Sequence, residues 1–237
     1  MAKGGFVFMI GIIGAMDVEI KGLIANMQIT EERVVSKIKF YKGLLQNKDV
    51  VIAKCNPGKV NAAICAQTMI LLYNVDAIIN TGVAGGLSKE LNICDVAISD
   101  KVVQHDMDTT PLGDPKGFIS GLNIVEIPSD KKICTLLREC AANCENTKVI
   151  TGTIASGDQF LNSSEVKEKI VSSFGAIAGE MEGASIGHVA YANNVPFCVL
   201  RVISDNADGE SDMDFPQFCN LAAEKSIKIC IDFVKQF

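Results

Sequence analysis

The stretch from residue 7 to residue 27, VFMIGIIGAMDVEIKGLIANM, decides the fold class. Val7–Ile13 is a short apolar run rich in β-branched residues, which predicts a buried strand, and Val18–Met27 has the apolar spacing of a helix. A strand that leads through a short turn into a helix is the repeating unit of α/β proteins. A secretory signal is the alternative interpretation, but Asp17 and Glu19 follow the apolar run at once and favour the strand.

Short apolar runs and segments of helical spacing keep alternating along the rest of the chain. Strands are predicted at Ile38–Leu45, Val50–Cys55, Ala77–Asn80, Val96–Val103, Leu122–Ile127, Val149–Ala155, Ala176–Gly179 and Phe197–Ile203. Helices are predicted at Val60–Tyr73, from a cap at Ser129 to about Cys144, and at Ser163–Ser173, Ala184–Asn193 and Pro216–Phe237. Because no linker or internal repeat interrupts this order, we expect a single α/β domain whose central, largely parallel sheet is covered by helices on both faces, as a three-layer sandwich.

The composition excludes several classes of function. The 22 basic and 28 acidic residues give a net charge of -6 without a basic tract, which argues against a nucleic-acid partner. No apolar run approaches the roughly 20 residues of a membrane helix. The nine cysteines form no C-x-x-C pair, which is typical of reduced thiols in a cytosolic protein. His105 and His188 offer no metal-ligand spacing, so we expect neither a metal nor a cofactor.

Ligand sites of parallel sheets collect at the carboxyl ends of the strands, so the residues that follow each strand are the candidates. The segment Gly179-Glu180-Met181-Glu182 is the most informative, because two carboxylates between a strand and a helix are unusual for packing. In an extended segment Glu180 and Glu182 face the same way and concentrate negative charge. Arg201, inside an apolar strand, needs a carboxylate partner, and either glutamate can serve.

Four other strand ends carry weaker signals, each with a structural alternative. Glu19 lies one turn into a helix, where an acid also complements the helix N-terminus. Asp205 follows a strand, where Ser-Asp is also a capping pair. The glycine-rich segment 81–87 is either a pocket wall or a tight turn, and Phe160 either stacks on a base or packs in the core. Together, acids without a cationic phosphate cradle predict a site where positive charge develops.

At this point the motifs show a resemblance. Five motifs of this sequence are Ile12-Ile13-Gly14-Ala15-Met16 with Glu19, Asn80-Thr81-Gly82-x-Ala84-Gly85-Gly86, Ser156-Gly157-Asp158-x-Phe160, Glu180-Met181-Glu182 and Arg201-x-Ile203-Ser204-Asp205-x-Ala207-Asp208. Together they resemble the motifs of the bacterial 5′-methylthioadenosine/S-adenosylhomocysteine nucleosidases. That family has the nucleoside phosphorylase-like fold with a central mixed sheet. The similarity begins at about residue 9. It implies an N-terminal extension over residues 1–8 and one nucleosidase domain over residues 9–237.

The resemblance implies hydrolysis of an adenine N-glycoside through an oxocarbenium-like transition state. Asp205 would be the general acid on adenine N7, Glu19 would activate water, and Glu182 would hold the ribose hydroxyls. Met181 would pack against the ribose, and Arg201 would hold the carboxylates in place. We therefore expect adenine release from 5′-methylthioadenosine and S-adenosylhomocysteine, with 5′-deoxyadenosine and aminofutalosine as further candidates, in methionine salvage and methyl-cycle recycling.

The resemblance also implies a set of substrate contacts. The adenine would be bound by Phe160, by the backbone of Ala84, Gly85 and Leu161, and by Asp205 with Ser204 behind it. The remaining expected contacts are Val83 near the ribose, Met16, Pro57 and Phe215 along the 5′ substituent, and Ala15 and Glu180 elsewhere in the substrate site. A homodimer is implied as well, in which Leu112 of the 106–121 loop reaches the neighbouring subunit's site. Val83, Pro57 and Leu112 replace residues common in the family, which bears on substrate preference.

Three other functions are weighed against hydrolysis. A nucleoside phosphorylase would need arginines that bind phosphate near the strand ends, whereas Arg33 and Arg138 lie in other segments. A binding module without catalysis would not need all three acids. A dinucleotide enzyme would need the G-x-G-x-x-G fingerprint, which is absent.

Overall fold

The computed structural model of this protein describes residues 8–207 and 215–237, apart from the side chain of Phe215. The strands are β1 (Met9–Gly14), β2 (Gln28–Val35), β3 (Ile38–Leu45), β4 (Lys48–Lys54), β5 (Ala77–Gly86), β6 (Val96–Gln104), β7 (Ile127–Pro128), β8 (Val149–Ser156), β9 (Ala178–Glu180) and β10 (Phe197–Asp205). The helices are α1 (Asp17–Ala25), α2 (Lys59–Tyr73), α3 (Lys131–Ala142), α4 (Ser164–Phe174), α5 (Gly183–Ala192) and α6 (Phe215–Gln236). A short 3₁₀ turn spans Thr110–Leu112.

The strands form one mixed sheet in the order β10-β6-β8-β9-β5-β1-β4-β3-β2, with β7 beside β6. Strand β10 also pairs with β5, so the strands β5, β10, β6, β8 and β9 close into a ring. The parallel pairings are β1 with β4 and β5, β5 with β10, and β8 with β6 and β9. These pairs form two parallel sets, one of β1, β4, β5 and β10 and one of β6, β8 and β9, which run antiparallel to each other where β10 pairs with β6 and β5 pairs with β9. Within the first set the carboxyl ends of the strands lie at one edge, where loops can deliver side chains to a common site.

Helices pack on both faces of the sheet. Helices α2 and α5 share one core, in which Met69 and Ile186 are fully buried. Helices α1, α3 and α6 share the other, in which Leu23 and Phe233 are fully buried. The predicted α/β three-layer arrangement around a mixed sheet is therefore confirmed. Within the described ranges, no helix has the length and apolar character needed to cross a bilayer.

The glycine-rich segment 81–87, for which a pocket wall and a tight turn were both open, continues strand β5, which runs to Gly86. Glycine is required at position 82 because a Cβ there would overlap the guanidinium of Arg201 and the carboxylate of Glu19. The strand thus stays regular while buried charged groups lie directly against its backbone. Of the two interpretations, the tight turn was wrong, because glycine also allows the close approach that a pocket wall needs.

Three other local predictions differ from the structure. Strand β2 was not predicted, because almost all of its side chains are exposed and the sequence lacks an apolar alternation there. The strand expected at Leu122–Ile127 is only the short β7, which pairs with β6. Helix α3 is capped by Asp130, whose Oδ1 accepts the N–H groups of Lys132 at 2.9 Å and Ile133 at 3.0 Å. The expected cap, Ser129, instead lies 2.6 Å from Ser99 Oγ.

Replacement of Asp130 tests this capping assignment. We expect Asp130→Ala to lower the free energy of unfolding by about 1 kcal/mol, because two N–H groups of α3 lose their acceptor. Asp130→Asn keeps an acceptor oxygen and should stay close to the wild type. Urea denaturation measures both variants, and equal stability of Asp130→Ala and wild type would show that the cap is not made.

Candidate active site

A cavity of about 240 Å³ lies at the carboxyl ends of β1, β5, β9 and β10. Most of the predicted site residues line it, namely Ala15, Met16, Glu19, Pro57, Val83, Ala84, Gly85, Phe160, Leu161, Glu180, Met181, Glu182, Ser204 and Asp205. Gln159 and Gly179 line it as well and were not predicted, although both lie inside the segments that carried the signal. The acids therefore meet in one place, as their positions after the strands indicated.

Two predicted residues do not line the cavity, and a third has an undescribed side chain. Arg201 lies behind its wall, with 1% of its surface exposed. Leu112 lies in the 3₁₀ turn, away from the cavity, and is 83% exposed. The side chain of Phe215 lies outside the described residues.

Arg201 is the cation around which the acids are arranged. Its Nη2 donates to the carboxylate of Glu180 and lies 3.3 Å from Glu182 Oε2, so the predicted pairing is made with both glutamates. Its Nη1 lies 4.0 Å from Glu19 Oε1. Asn80 Oδ1 accepts a further hydrogen bond from Nη2 at 2.6 Å. One buried guanidinium thus faces three buried carboxylates, which leaves the group with an excess of negative charge when all three are ionised.

Burial and mutual repulsion raise the pKa of two of these acids. Burial, together with repulsion from Glu180, raises the pKa of Glu182 to about 8, although Arg201 opposes the shift. Burial also raises the pKa of Glu19, against the opposing effect of Arg201. Burial therefore favours the protonated form of Glu182, and a positive charge forming in the cavity would favour release of the proton.

Glu19 serves both the helix and the cavity. Its Oε2 accepts the N–H groups of Ala15 at 2.6 Å and Met16 at 2.8 Å, and Oε1 accepts the N–H of Val83 at 3.0 Å. Met16 is the N-cap of α1, so the hydrogen bond from its N–H to Glu19 stabilises the start of the helix. This is the structural alternative that the sequence offered for Glu19. A carboxylate has about four acceptor positions, so one remains for a molecule in the cavity.

Asp205 is fixed at the end of β10 by two hydrogen bonds. Ser204 Oγ donates to Asp205 Oδ2 at 2.9 Å, and the N–H of Ala207 donates to Oδ1 at 2.9 Å. Gly85 lies against the same carboxylate, since a Cβ there would come within 3.0 Å of Oδ1. Asp205 is buried and lines the cavity, so its carboxylate faces the space that a small molecule could occupy.

The opposite wall of the cavity is apolar. Phe160 lines it and is 59% exposed. Leu161 packs so closely behind the site that a Cβ at Gly179 would overlap it. In the described ranges, no group of three or more His, Cys, Asp or Glu side chains is arranged to hold a metal ion.

The raised pKa of Glu182 predicts a pH-dependent stability difference. A carboxyl with a folded pKa of about 8 and an ordinary value of 4.5 stabilises the fold fully below pH 4.5, and this contribution is lost as the pH rises towards 8. Glu182→Gln is neutral at every pH and lacks this loss. Urea denaturation from pH 5 to pH 8 should therefore show the variant gaining stability relative to wild type, whereas a constant difference would contradict the shift.

Comparison with known proteins agrees with this geometry. The family model of the phosphorylase superfamily matches residues 9–235. The aminodeoxyfutalosine nucleosidase of Helicobacter pylori is 39% identical over 228 residues, covering 96% of this chain and 98% of that protein. The 5′-methylthioadenosine/S-adenosylhomocysteine nucleosidase of Haemophilus influenzae is 42% identical over 229 residues, covering 95% and 98%.

A solved structure extends the likeness to three dimensions. The 5′-methylthioadenosine/S-adenosylhomocysteine nucleosidase of Neisseria meningitidis, in complex with methylthio-immucillin-A, matches with a TM-score of 0.93 at 34% identity. The match covers 98% of this chain and 100% of that one. The chain therefore belongs to the phosphorylase superfamily and, within it, to the nucleosidases, the enzymes that hydrolyse the N-glycosidic bond of nucleosides.

Proposed function

We propose that this enzyme hydrolyses the N-glycosidic bond of 5′-methylthioadenosine and S-adenosylhomocysteine, releasing adenine and the 5-thio-substituted ribose. The observation that carries the proposal is the cavity itself, in which Glu19, Glu182 and Asp205 surround a space too small for a macromolecule. Such a cavity favours a small ligand that becomes positively charged during the reaction. A ribosyl group losing its base is a ligand of this kind.

Each acid takes the role that the family resemblance implies, and its surroundings support that role. Asp205, held by Ser204, would donate a proton to adenine N7 and make the base a better leaving group. Glu19 has one acceptor position left and would orient and deprotonate the attacking water. Glu182 would accept hydrogen bonds from the ribose hydroxyls and stabilise the positive charge, with Met181 against the sugar.

Water is favoured over phosphate as the attacking group. The described residues that line the cavity include no lysine or arginine, and Arg201 is committed to carboxylates and Asn80. Arg33 lies on strand β2 and Arg138 on helix α3, away from the site. A phosphate dianion beside Glu19 would be repelled.

The remainder of the site completes the substrate's binding. The adenine would lie against Phe160, and the 5′ substituent would run along Met16 and Pro57. We further propose a homodimer, in which the exposed Leu112 of the 106–121 loop reaches the neighbouring subunit's site. The enzyme would act in the cytoplasm, in methionine salvage and methyl-cycle recycling.

The relatives leave two substrate classes for comparison, because one is an aminodeoxyfutalosine nucleosidase and others are 5′-methylthioadenosine/S-adenosylhomocysteine nucleosidases. Val83 stands where a serine is common in the family, and Pro57 stands where an isoleucine is common. Both differences change the cavity walls near the ribose and its 5′ carbon. Measurement of kcat/KM for 5′-methylthioadenosine, S-adenosylhomocysteine and aminofutalosine ranks them. We expect a thio-substituted nucleoside to rank first.

The roles of the acids are tested by isosteric variants. We expect Glu19→Gln and Asp205→Asn each to lower kcat for adenine release by at least about 100-fold, because each removes a proton-transfer group. Asp17→Asn is the matched control, since Asp17 lies in the same helical turn but is exposed and paired with Lys54. Unchanged turnover in both active-site variants would contradict the assignment, whereas a wild type that binds an adenine nucleoside and releases no adenine would favour a binding module.

Phosphate dependence separates hydrolysis from phosphorolysis. We expect adenine release from 5′-methylthioadenosine to proceed at the same rate with and without inorganic phosphate, because the cavity lining offers the anion no cation. Chromatography of the sugar product should give the free thioribose. A strict requirement for phosphate, with a sugar 1-phosphate as product, would overturn the proposal.

A further inference from the structure

Three side chains outside the cavity form a closed set of contacts that none of the proposed catalytic steps uses. Lys59 Nζ at the start of α2 lies 2.7 Å from Asp106 Oδ1, in the turn after β6. Asp106 Oδ2 accepts the N–H of Asp158 at 2.9 Å, in the turn after β8. Asp158 Oδ1 accepts the N–H of Lys59 at 2.7 Å. We call these three residues the Lys59 clasp.

One end of the Lys59 clasp adjoins the acid assigned to the ribose. Lys59 directly follows Gly58, whose N–H donates to Glu182 Oε1 at 3.0 Å. Gly58 has a φ of +104°, a conformation that L side chains rarely adopt, so the direction of this N–H depends on how the turn is held. Ser185 Oγ adds a second anchor by donating to the Lys59 carbonyl at 2.6 Å.

The other end of the Lys59 clasp adjoins the aromatic wall. Asp158 directly precedes Gln159 and Phe160, both of which line the cavity. The clasp therefore ties the turn that carries the Glu182 donor to the turn that carries the proposed adenine platform. These turns are about a hundred residues apart in sequence, and the partly buried ion pair of Lys59 with Asp106 joins them through charge-assisted bonds.

We infer that Lys59 and Asp106 are positioning residues for the nucleosidase reaction. They hold the Gly58 N–H against Glu182, and they hold the turn that carries Phe160 in its place at the cavity. Only the kinetic test of this inference rests on the proposed function. Neither residue lines the cavity, so both act through Gly58, Glu182 and Phe160.

The electrostatic consequence concerns the ionisation of Glu182. The Gly58 N–H favours the ionised carboxylate and so opposes the rise in its pKa. The other charged groups that act on the pKa of Glu182 are Glu180 on β9, Arg201 on β10 and Glu19 on α1. None of them belongs to the Lys59 clasp, so breaking the clasp leaves them in place. If the clasp is broken, the pKa of Glu182 rises further. The ascending limb of the pH profile of kcat/KM then moves to higher pH, because the ribose-holding role needs the ionised form.

Two single variants and their combination test the inference. We expect Lys59→Met and Asp106→Asn each to lower kcat/KM for 5′-methylthioadenosine at pH 7 by about 10-fold, the scale of one charge-assisted hydrogen bond. The ascending limb should move to higher pH in both, and the double variant should be no slower than the slower single, because the residues act as one unit. Lys59→Arg keeps the cation and should recover much of the activity.

The matched control breaks an ion pair of the same length elsewhere. Lys101 Nζ also lies 2.7 Å from a carboxylate, that of Glu126, but this pair is remote from the cavity and more exposed. Lys101→Met should leave kcat/KM and the pH profile unchanged. Folded Lys59 and Asp106 variants with wild-type kcat/KM and an unmoved pH profile would overturn the inference, as would losses that simply add in the double variant.

Hydrogen exchange separates failure of the inference from failure of the proposed function. The amide of Gly58 should be protected in the wild type and should exchange at least about 10-fold faster in Lys59→Met, measured by mass spectrometry on peptides that span residues 55–60. This readout needs no turnover. A wild type that releases no adenine would remove the proposed function, whereas unchanged exchange at Gly58 would remove the positioning role.

Discussion

The guanidinium of Arg201, buried between Glu19, Glu180 and Glu182, is the interaction on which the site depends. Three carboxylates at such distances would repel one another in a medium of low dielectric constant, and no water could compensate them. One delocalised cation with several donors can satisfy more than one acid at a time, which a lysine could not do with the same geometry. The excess of acid over base that remains is then available to a ligand that becomes positive.

The fold makes this arrangement possible by bringing distant segments to one edge of the sheet. Arg201 comes from β10, Glu180 ends β9, and Glu19 lies in the first turn of α1, after β1. Glycine at position 82 of β5 leaves the space that the arginine and Glu19 fill. The closure of β5, β10, β6, β8 and β9 into a ring holds these elements in a fixed relation, so the acids need little reorganisation when charge develops.

Much of this architecture is predictable from the sequence, for physical reasons. Buried strands and amphipathic helices carry their period in their side chains, and an arginine in an apolar strand demands an acid. Strand β2 escaped prediction because its exposed side chains carry no such period. The glycines of β5 were compatible with both a turn and a pocket wall, because the sequence does not reveal the side chains that approach them. The Lys59 clasp escaped because its three residues are far apart in the chain and resemble ordinary surface charges.

The central claim is that this cavity stabilises positive charge at the sugar, and the most direct measurement compares two non-reacting isosteres. One is an adenine nucleoside analogue whose sugar ring carries a protonated nitrogen, and the other is its neutral carbocyclic counterpart. Calorimetric titration should give a Kd at least about 100-fold lower for the cation, the lower end of the range for transition-state mimics. Equal affinities for the cationic and the neutral analogue would contradict the account.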